Sequence, residues 1–438
     1  MFLKATSISK LLIISLFCIW LLGGCNANIS NSSNNYSLYE TYISRYLVPN
    51  QLPAPASIKS VQLYRSGSSN NPPIIELGSS QKLTIEFDEL TSLSGQFRVT
   101  FSHHDQEWNE SNIPRDWYVD GIGEIIVGGG TQNRLSRPNY FHYHEEFPND
   151  RVDFLISGNY MLHVTDFATG TRLFSLPFFV TENVGEIESW VETDYNAGNR
   201  FEALDRPFSQ FIYPDFIDFP EFDLSFYFVQ NRFWGDATRS QNYDFSEEDR
   251  SQYQLSRDNA FYANYDFLSL NLNSLSETNR QIIEWRPEQI PPLAILREDV
   301  LNFTADPVAS WGSSFGNPRK NREARYANVR FRFQDGGQFS AGDGVYLVGD
   351  FNQWLLSEDN KLEYNQSSGY WETTNLIKEG SYTYKYAVKA GRDGIDDLLL
   401  SDTITRQRQE YTSFVYYQDP DYRYQRLLQV QTIQSTRD

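Results

Sequence analysis

Histidines are the side chains of this 438-residue chain whose type and spacing come closest to a metal site. His142 and His144 lie two residues apart in an alternating run, so as strand residues they share one face and could supply two ligands. No cysteine beyond residue 25 is present to complete such a site. We therefore predict no metal site and interpret the histidines as packing or hydrogen-bonded side chains. The histidines are His103, His104, His142, His144 and His163.

Paired acidic residues are the other groups that could do chemistry, as a general acid and a general base. The doublets are Asp88/Glu89, Glu145/Glu146, Glu247/Glu248 and Asp396/Asp397. Neighbouring residues of a strand point to opposite faces, so no doublet places two carboxylates across one cleft. The chain also lacks a Gly-x-Ser-x-Gly elbow, a P-loop, a dinucleotide fingerprint and a zinc-ligand spacing. The sequence therefore predicts a protein that is not an enzyme and needs no cofactor.

Cys25 is the residue for which the sequence predicts a covalent modification. Two lysines precede an apolar run at 11–22 that is too short to cross a bilayer comfortably. The segment Leu22-Gly23-Gly24-Cys25 that closes the run resembles a bacterial lipobox, in which the cysteine is lipidated. We predict a lipoprotein signal peptide at 1–25 and, since Asn rather than Asp follows the cysteine, an outer-membrane lipoprotein. The alternatives are an ordinary cleaved signal and an N-terminal membrane anchor.

The net charge of −20 restricts the partners of the chain. Phosphate backbones repel such a polyanion, which excludes nucleic-acid binding. Anionic lipid surfaces repel it as well, so membrane contact is expected through the lipid anchor. Residues 26–57 begin with an Asn/Ser-rich stretch that has no apolar period, and we predict a flexible tether there.

Alternation of apolar and polar residues dominates the chain after this tether. It is clear at Leu83–Phe87, Phe97–Phe101 and Tyr160–Val164, and the 28 Tyr and 31 Phe also favour strands. The best candidates for short helices are 278–285 and 423–430. The pattern predicts an all-β fold of tandem antiparallel β-sandwich domains of the immunoglobulin-like or early-set kind. These domains are an N-terminal β-sandwich at 58–182, a middle β-rich domain at 183–322 and a C-terminal early-set-like β-sandwich at 323–430.

One segment of the C-terminal domain points to a more specific resemblance. Gly349-Asp350-Phe351-Asn352-Gln353-Trp354, followed by Gly380–Tyr386, resembles the early-set sandwich of glycogen-binding modules. In the sugar-binding members, a Trp at the position of Trp354 and a Lys at that of Lys385 contact glucan. A second Trp of those members has no counterpart here, since its place holds 389–393 without an aromatic residue. The resemblance therefore implies a structural use of the fold, with Trp354 and Lys385 as glycan contacts in the alternative.

Ordered motifs along the mature chain together resemble the plug protein family of the type IX secretion system of Bacteroidetes. The motifs are Val61–Gly67, Pro73–Leu77, His103–Asn109, Tyr118–Gly121, Tyr140–Tyr143, Phe147–Asp150, Ser157–Tyr160, Gln230–Trp234, Gly349–Trp354 and Phe414–Tyr417. The resemblance implies a non-enzymatic periplasmic plug that seals the periplasmic mouth of the outer-membrane translocon barrel. Its expected location is the periplasmic face of the outer membrane, as a lipoprotein.

A glycan-binding outer-membrane lipoprotein of a polysaccharide-utilisation system is the competing function. It accounts equally well for the lipobox and the β domains, but not for the motifs of the first domain. A hydrolase is a third class, for which the sequence offers no catalytic cleft. The sequence leaves open which surface meets the barrel, what triggers release, the orientation and the oligomeric state.

Overall fold

The computed structural model describes residues 46–195, 203–247, 249–263, 265, 267–300, 324–337, 339–340, 344–390, 394–396 and 407–435. Cys25 and the predicted signal peptide lie outside these ranges. The predicted flexible tether at 26–57 extends too far, because Tyr46, Leu47 and Val48 are buried against the folded body. Strands dominate the described residues, which confirms the all-β prediction. Their α-helix is a single turn, α1 (Pro220–Asp223). Turns of 3-10 helix occupy Arg115–Trp117, Trp234–Asp236, Arg257–Asn259, Asp350–Asn352 and Glu358–Asn360.

A first sandwich forms between Ile58 and Thr181. Its strands are β1 (Ile58–Arg65), β2 (Ile74–Glu76), β3 (Leu83–Glu89), β4 (Phe97–His104), β5 (Val119–Gly121), β6 (Glu124–Val127), β7 (Thr131–Asn133), β8 (Tyr140–Phe147), β9 (Val152–Phe154), β10 (Gly158–Asp166) and β11 (Arg172–Thr181). One sheet has the order β1-β3-β8-β7 and the other β2-β11-β10-β4-β6. Phe87 and Phe97, one from each sheet, meet edge to face with ring centroids 5.1 Å apart in the core.

A second sandwich begins directly afterwards. Its first strands are β12 (Glu186–Asp194), β13 (Leu204–Ile212), β14 (Leu224–Gln230), β15 (Thr238–Arg239), β16 (Asn242–Asp244), β17 (Arg250–Gln254) and β18 (Phe261–Tyr262). One of its sheets has the order β12-β13-β17-β16, with β18 paired to β13. Phe226 of β14 stacks on Tyr253 of β17 at 3.8 Å between ring centroids, which joins the two sheets.

A third sandwich follows. Its strands are β19 (Leu268–Asn271), β20 (Ile282–Arg286), β21 (Leu293–Leu296), β22 (Asp299–Val300), β23 (Tyr326–Gln334), β24 (Val345–Gly349), β25 (Glu363–Asn365), β26 (Tyr370–Lys378), β27 (Ser381–Ala390) and β28 (Gly394–Asp396). The sheets have the orders β19-β27-β24 and β20-β21-β23-β26-β25. Phe331 of β23 and Tyr384 of β27 meet across them with ring centroids 5.3 Å apart.

The last two strands, β29 (Glu410–Gln418) and β30 (Gln425–Gln434), return to the second sandwich. There they complete the sheet β15-β14-β29-β30, with Leu224 opposite Tyr417. The predicted division at 322/323 therefore does not separate the sheets, because β19 to β22 belong to the third sandwich and β29 and β30 to the second. Alternation identifies a strand but not its partner, so pairing across the chain escapes it. Both predicted helices were wrong, because strands β20 and β30 occupy most of these segments.

Candidate functional site: the junctions between the sandwiches

Buried charges join the first sandwich to the third. Asp88 on β3 and Lys378 on β26 are both fully buried, with Oδ2 and Nζ 2.6 Å apart. The Tyr326 hydroxyl donates to the same Oδ2 at 2.7 Å, and Nδ1 of His142 lies 2.8 Å from Oδ1. The Lys378 ammonium also lies 4.7 Å from the ring centroid of Tyr140. Both carboxylate oxygens therefore have partners inside the junction.

Pairing decides the charge state of this network. Burial alone would raise the pKa of Asp88, but the Lys378 ammonium and His142 hold that pKa below its ordinary value. Burial lowers the pKa of Lys378, while the Asp88 carboxylate opposes this shift. A buried ion pair with complete hydrogen bonding adds little net stability, whereas loss of either partner is costly. The network therefore fixes how the first and third sandwiches fit together.

Histidines of the first sandwich take structural positions. His142 belongs to the Asp88 network, whereas His144, with 40% of its side chain exposed, lies 3.9 Å from Glu86. Nε2 of both His104 and His163 lies 2.8 Å from the Ser102 hydroxyl. Burial lowers the pKa of His163 to about 3. Within the described ranges no three His, Cys, Asp or Glu side chains are grouped to hold a metal ion.

Aromatic rings join the first sandwich to the second. Phe179 of β11 lies with its ring centroid 5.0 Å from that of Trp234 and 4.9 Å from that of Phe414. Trp108 packs on the other side of Phe179 at 5.6 Å. Phe179 and Phe414 are almost completely buried in this cluster, which also holds Met161. The junction therefore continues the hydrophobic core. A ring of this cluster can be replaced by a side chain of another size without leaving a buried charge unpaired.

The Gln230–Trp234 motif forms a turn that ties the second sandwich to its neighbours. Asn231 and Arg232 have φ values of 55° and 59°, which turn the chain sharply at the end of β14. The guanidinium of Arg232 then binds the Glu410 carboxylate through two bonds of 2.5 and 2.9 Å. A third bond, of 2.8 Å, goes to the carbonyl of Asn70 in the first sandwich. This fork geometry suits arginine and not lysine.

Trp354 lies at the junction between the second and third sandwiches. Its indole Nε1 donates to Asp350 at 3.1 Å, and its ring centroid lies 5.2 Å from that of Phe233 and 5.4 Å from that of Phe267. A Cβ at Gly349 would meet the Thr383 carbonyl oxygen at 2.7 Å, so this turn approaches β27 as only glycine allows. Burial raises the pKa of Asp350 to about 6, although its hydrogen bonds oppose this shift.

Lys385, the other predicted glycan contact, is buried at the same junction. Its ammonium lies 4.0 Å from the ring centroid of Tyr265. Trp354 keeps a partly exposed edge on a cleft of about 230 Å³, which Tyr46, Arg232 and Trp234 also line. The structure therefore places Trp354 and Lys385 in one aromatic cluster, where a glucan would have to compete with protein rings for the same faces.

Several residues of the junctions escaped the sequence predictions. Lys378 pairs with a residue 290 positions away, and Arg426 binds Glu182 and Asp419, each at 2.7 Å. The signal that could have identified Lys378 was its charge, because it ends β26 directly after the apolar residues Leu376 and Ile377. A charged side chain at the buried end of a strand requires a partner, but the sequence does not say which one.

The comparison with protein families decides the identity of the first sandwich. Residues 58–182 match the description "Type 9 secretion system plug protein 1st domain". The chain carries a type 9 secretion system plug domain. The resemblance predicted from the motifs is therefore confirmed at the first sandwich, and this match supports a plug-like role in type 9 secretion. No curated protein matches the sequence.

Solved structures extend the likeness beyond the plug domain. A hypothetical protein from Parabacteroides merdae ATCC 43184 is 22% identical, with a TM-score of 0.78 over 88% of this chain and 99% of its own. This likeness shows a shared fold for most of the chain. A biofilm-associated protein BSP domain matches with 9% identity and a TM-score of 0.18, over 89% of this chain and 62% of its own. The Streptococcus pyogenes AspA C-terminal domain matches with 9% identity and a TM-score of 0.16, over 85% of this chain and 98% of its own.

Motifs of the plug domain face the second sandwich. In His103–Asn109, Asp105 Oδ1 accepts the backbone N–H groups of Glu107 and Asn109, which places Trp108 in the aromatic junction at a φ of 66°. In Ser157–Tyr160, Asn159 Oδ1 accepts the hydroxyl of Tyr416 at 2.8 Å. Two of the motifs that carried the resemblance therefore hold the plug domain on the second sandwich. Among the described residues, no helix is both long and apolar enough to cross a membrane.

Proposed function

We propose that this chain is a non-enzymatic periplasmic plug that seals the periplasmic mouth of the outer-membrane translocon barrel of the type IX secretion system. The observation that carries the proposal is the plug domain at 58–182. A plug acts by occupying an opening, so it needs a stable surface and no bond-making residues. Burial in the sandwiches and their junctions is consistent with that requirement.

The packing of the sandwiches supports this role physically. The described residues from 46 onward belong to one compact unit. A compact unit of roughly 390 residues has a radius of gyration of about 21 Å. The Asp88–Lys378 pair, the hydrogen bond from Arg232 to the Asn70 carbonyl and the Phe179 cluster each resist sliding of one sandwich past another. Such a body can close an opening without a further rearrangement.

A lipid on Cys25 would keep this body at the outer membrane. The tether would limit the volume that the released plug explores, so rebinding to the barrel would be effectively intramolecular. In this proposal the chain contacts lipid through the anchor alone. Mass spectrometry of the mature N-terminus should find acyl chains on Cys25, and in cells without the barrel a Cys25→Ser chain should leave the membrane fraction. An unmodified cysteine in the membrane fraction would contradict the anchor.

Permeability measurements in deletion strains test the sealing role. Deletion of the plug gene should increase the uptake of small antibiotics, because the barrel mouth is then open. Deletion of the barrel gene together with the plug gene should return uptake to that of the barrel deletion alone. An equal increase in cells without the barrel would refute sealing. Complementation with the intact chain is the positive control, and with the Cys25→Ser chain it measures the contribution of the anchor.

The glycan-binding alternative has its own test. Calorimetric titration of the mature chain with soluble α-glucans should show no binding at about millimolar concentrations or below. Binding in that range, lost in Trp354→Ala, would favour the alternative. Because Trp354 also packs against Phe233, the variant must first show an unchanged circular dichroism spectrum.

A further inference from the structure

The loop between β13 and β14, Tyr213–Asp223, exposes a row of aromatic side chains. Phe216, Phe219 and Phe222 are 45%, 62% and 78% exposed. Single exposed apolar residues are common on protein surfaces, but three rings within seven residues form a patch of the kind that marks an interaction site. We name this segment the phenylalanine loop.

Acidic residues alternate with these rings. The phenylalanine loop contains Asp215, Asp218, Glu221 and Asp223 and no Lys, Arg or His. Four negative charges around three apolar rings define a partner surface that combines apolar pockets with basic side chains. The loop therefore predicts a partner surface that is both apolar and basic.

The phenylalanine loop is fixed on the second sandwich. Ile217 points inward and is 5% exposed, in the core with Phe226. The backbone N–H of Tyr213 donates to the Asp249 carbonyl, and those of Phe222 and Asp223 donate to the Phe219 carbonyl at the start of α1. A loop held by its own core residue and hydrogen bonds loses little conformational freedom when it binds.

Arg426 supports the base of the loop. Its guanidinium lies 4.8 Å from the ring centroid of Phe216 and also binds the carboxylates of Glu182 and Asp419. The positive charge of Arg426 is therefore already paired, and it does not neutralise the acidic edge of the loop. Phe219 and Phe222 extend beyond this support as the most exposed rings.

We propose that the phenylalanine loop is the surface through which this body docks on the barrel, at apolar pockets edged with basic residues around the periplasmic mouth. The inference rests on the proposed plug function and names the contact surface for it. Anionic lipid is a poorer occupant, because four carboxylates are repelled by the membrane surface. A second copy is poorer too, because a two-fold contact would place the same acidic loop against itself.

Capture of the barrel measures the contribution of the loop. The tagged full chain is incubated with detergent-solubilised outer membranes, and the captured barrel is quantified. Phe219→Ser/Phe222→Ser should capture less by about tenfold or more, because central aromatic residues dominate interface energies. The matched control is Leu93→Ser/Leu135→Ser, which removes side chains 78% and 73% exposed on the first sandwich and should capture the barrel normally.

Charge is tested separately. The variant Asp215→Asn/Asp218→Asn/Glu221→Gln/Asp223→Asn keeps the rings and should bind more slowly. Capture by the unmodified loop should weaken as salt rises from roughly 50 to roughly 300 mM, and capture by this variant should depend less on salt. Equal salt dependence of the two chains would overturn the predicted basic partner.

The outcomes separate this inference from the plug function. If the unmodified chain captures no barrel, the plug function fails. If the Phe219→Ser/Phe222→Ser chain captures as much barrel as the control, the plug function stands and the docking surface is wrong. Loop-dependent sedimentation with phosphatidylethanolamine–phosphatidylglycerol vesicles, or a loop-dependent dimer in analytical ultracentrifugation, would also overturn the assignment. An unchanged melting temperature of the variant shows that the fold is intact.

Discussion

The first sandwich buries different side chains at the centre of its contacts with its two neighbours. Toward the third sandwich it buries Asp88 against Lys378, and toward the second it buries Phe179 among other rings. The charged junction tolerates one arrangement, because any shift leaves a buried charge without its partner. The aromatic junction supplies apolar burial and tolerates small changes in shape. The charged contact therefore restricts the geometry of the body, and the aromatic contact adds apolar burial.

Lys378→Met should have the largest effect of any single substitution at these junctions. It leaves Asp88 buried beside His142 and Tyr326 without its cation, and the expected loss is about 3–5 kcal/mol in the free energy of unfolding. Urea titration at neutral pH measures it.

The double variant Asp88→Asn/Lys378→Met separates pairing from net attraction. It removes both charges, so we expect it to recover most of the loss and to lie within about 2 kcal/mol of the natural chain. A double variant as unstable as Lys378→Met would show that the pair itself, and not the orphaned carboxylate, supplies the stability.

Acid should lower the free energy of unfolding of the chain through His163 in the first sandwich. The pKa of His163 is about 3 in the folded chain, against an ordinary value of 6.5. Its contribution to stability is therefore complete above pH 6.5 and decreases as the pH falls from 6.5 toward 3. Between pH 7.5 and pH 5, the natural chain should lose about 1–2 kcal/mol more than His163→Gln.

Urea midpoints of both chains across this pH range test the histidine prediction. Burial also raises the pKa of Asp299 to about 6, which acts in the opposite sense. Because Asp299 is present in both chains, its effect cancels in the difference. Parallel pH profiles would contradict the assignment to His163.

Phe179→Leu should cost about 1–1.5 kcal/mol, less than the loss of Lys378, because leucine still fills much of the space between Trp234 and Phe414. The urea midpoint measures it. Phe167→Leu, at a ring 43% exposed, is the control and should change stability by less than about 0.5 kcal/mol. A larger loss than in Lys378→Met would reverse the contrast between the two junctions.

Phe219→Ser/Phe222→Ser should have the smallest effect on stability, within about 0.5 kcal/mol, because both rings are already in solvent. Differential scanning calorimetry measures it. A marked destabilisation would show that Phe219 and Phe222 stabilise the fold, as the junction residues do.

The sequence predicted strands better than it predicted their partners. Leu83–Phe87 and Tyr160–Val164 alternate as half-buried strands do, and they lie in β3 and β10. The pairing of Leu224 with Tyr417 has no local signal, because the side-chain period is the same whichever strand lies alongside. Trp354 was recognised by resemblance, whereas its contacts with Tyr46 and Phe233 depend on how the sandwiches dock. The sequence therefore predicted strands and motif residues, but not the strand pairing or the contacts between sandwiches.

The return of β29 and β30 makes the third sandwich an insertion within the second. During synthesis the amino-terminal part of the chain emerges first, and β14 then presents an open edge until Glu410–Gln434 arrives. Premature termination after residue 396 would delete that closing pair and leave the edge available for aggregation. The order of synthesis thus makes the arrival of β29 and β30 the step that closes this sheet of the second sandwich.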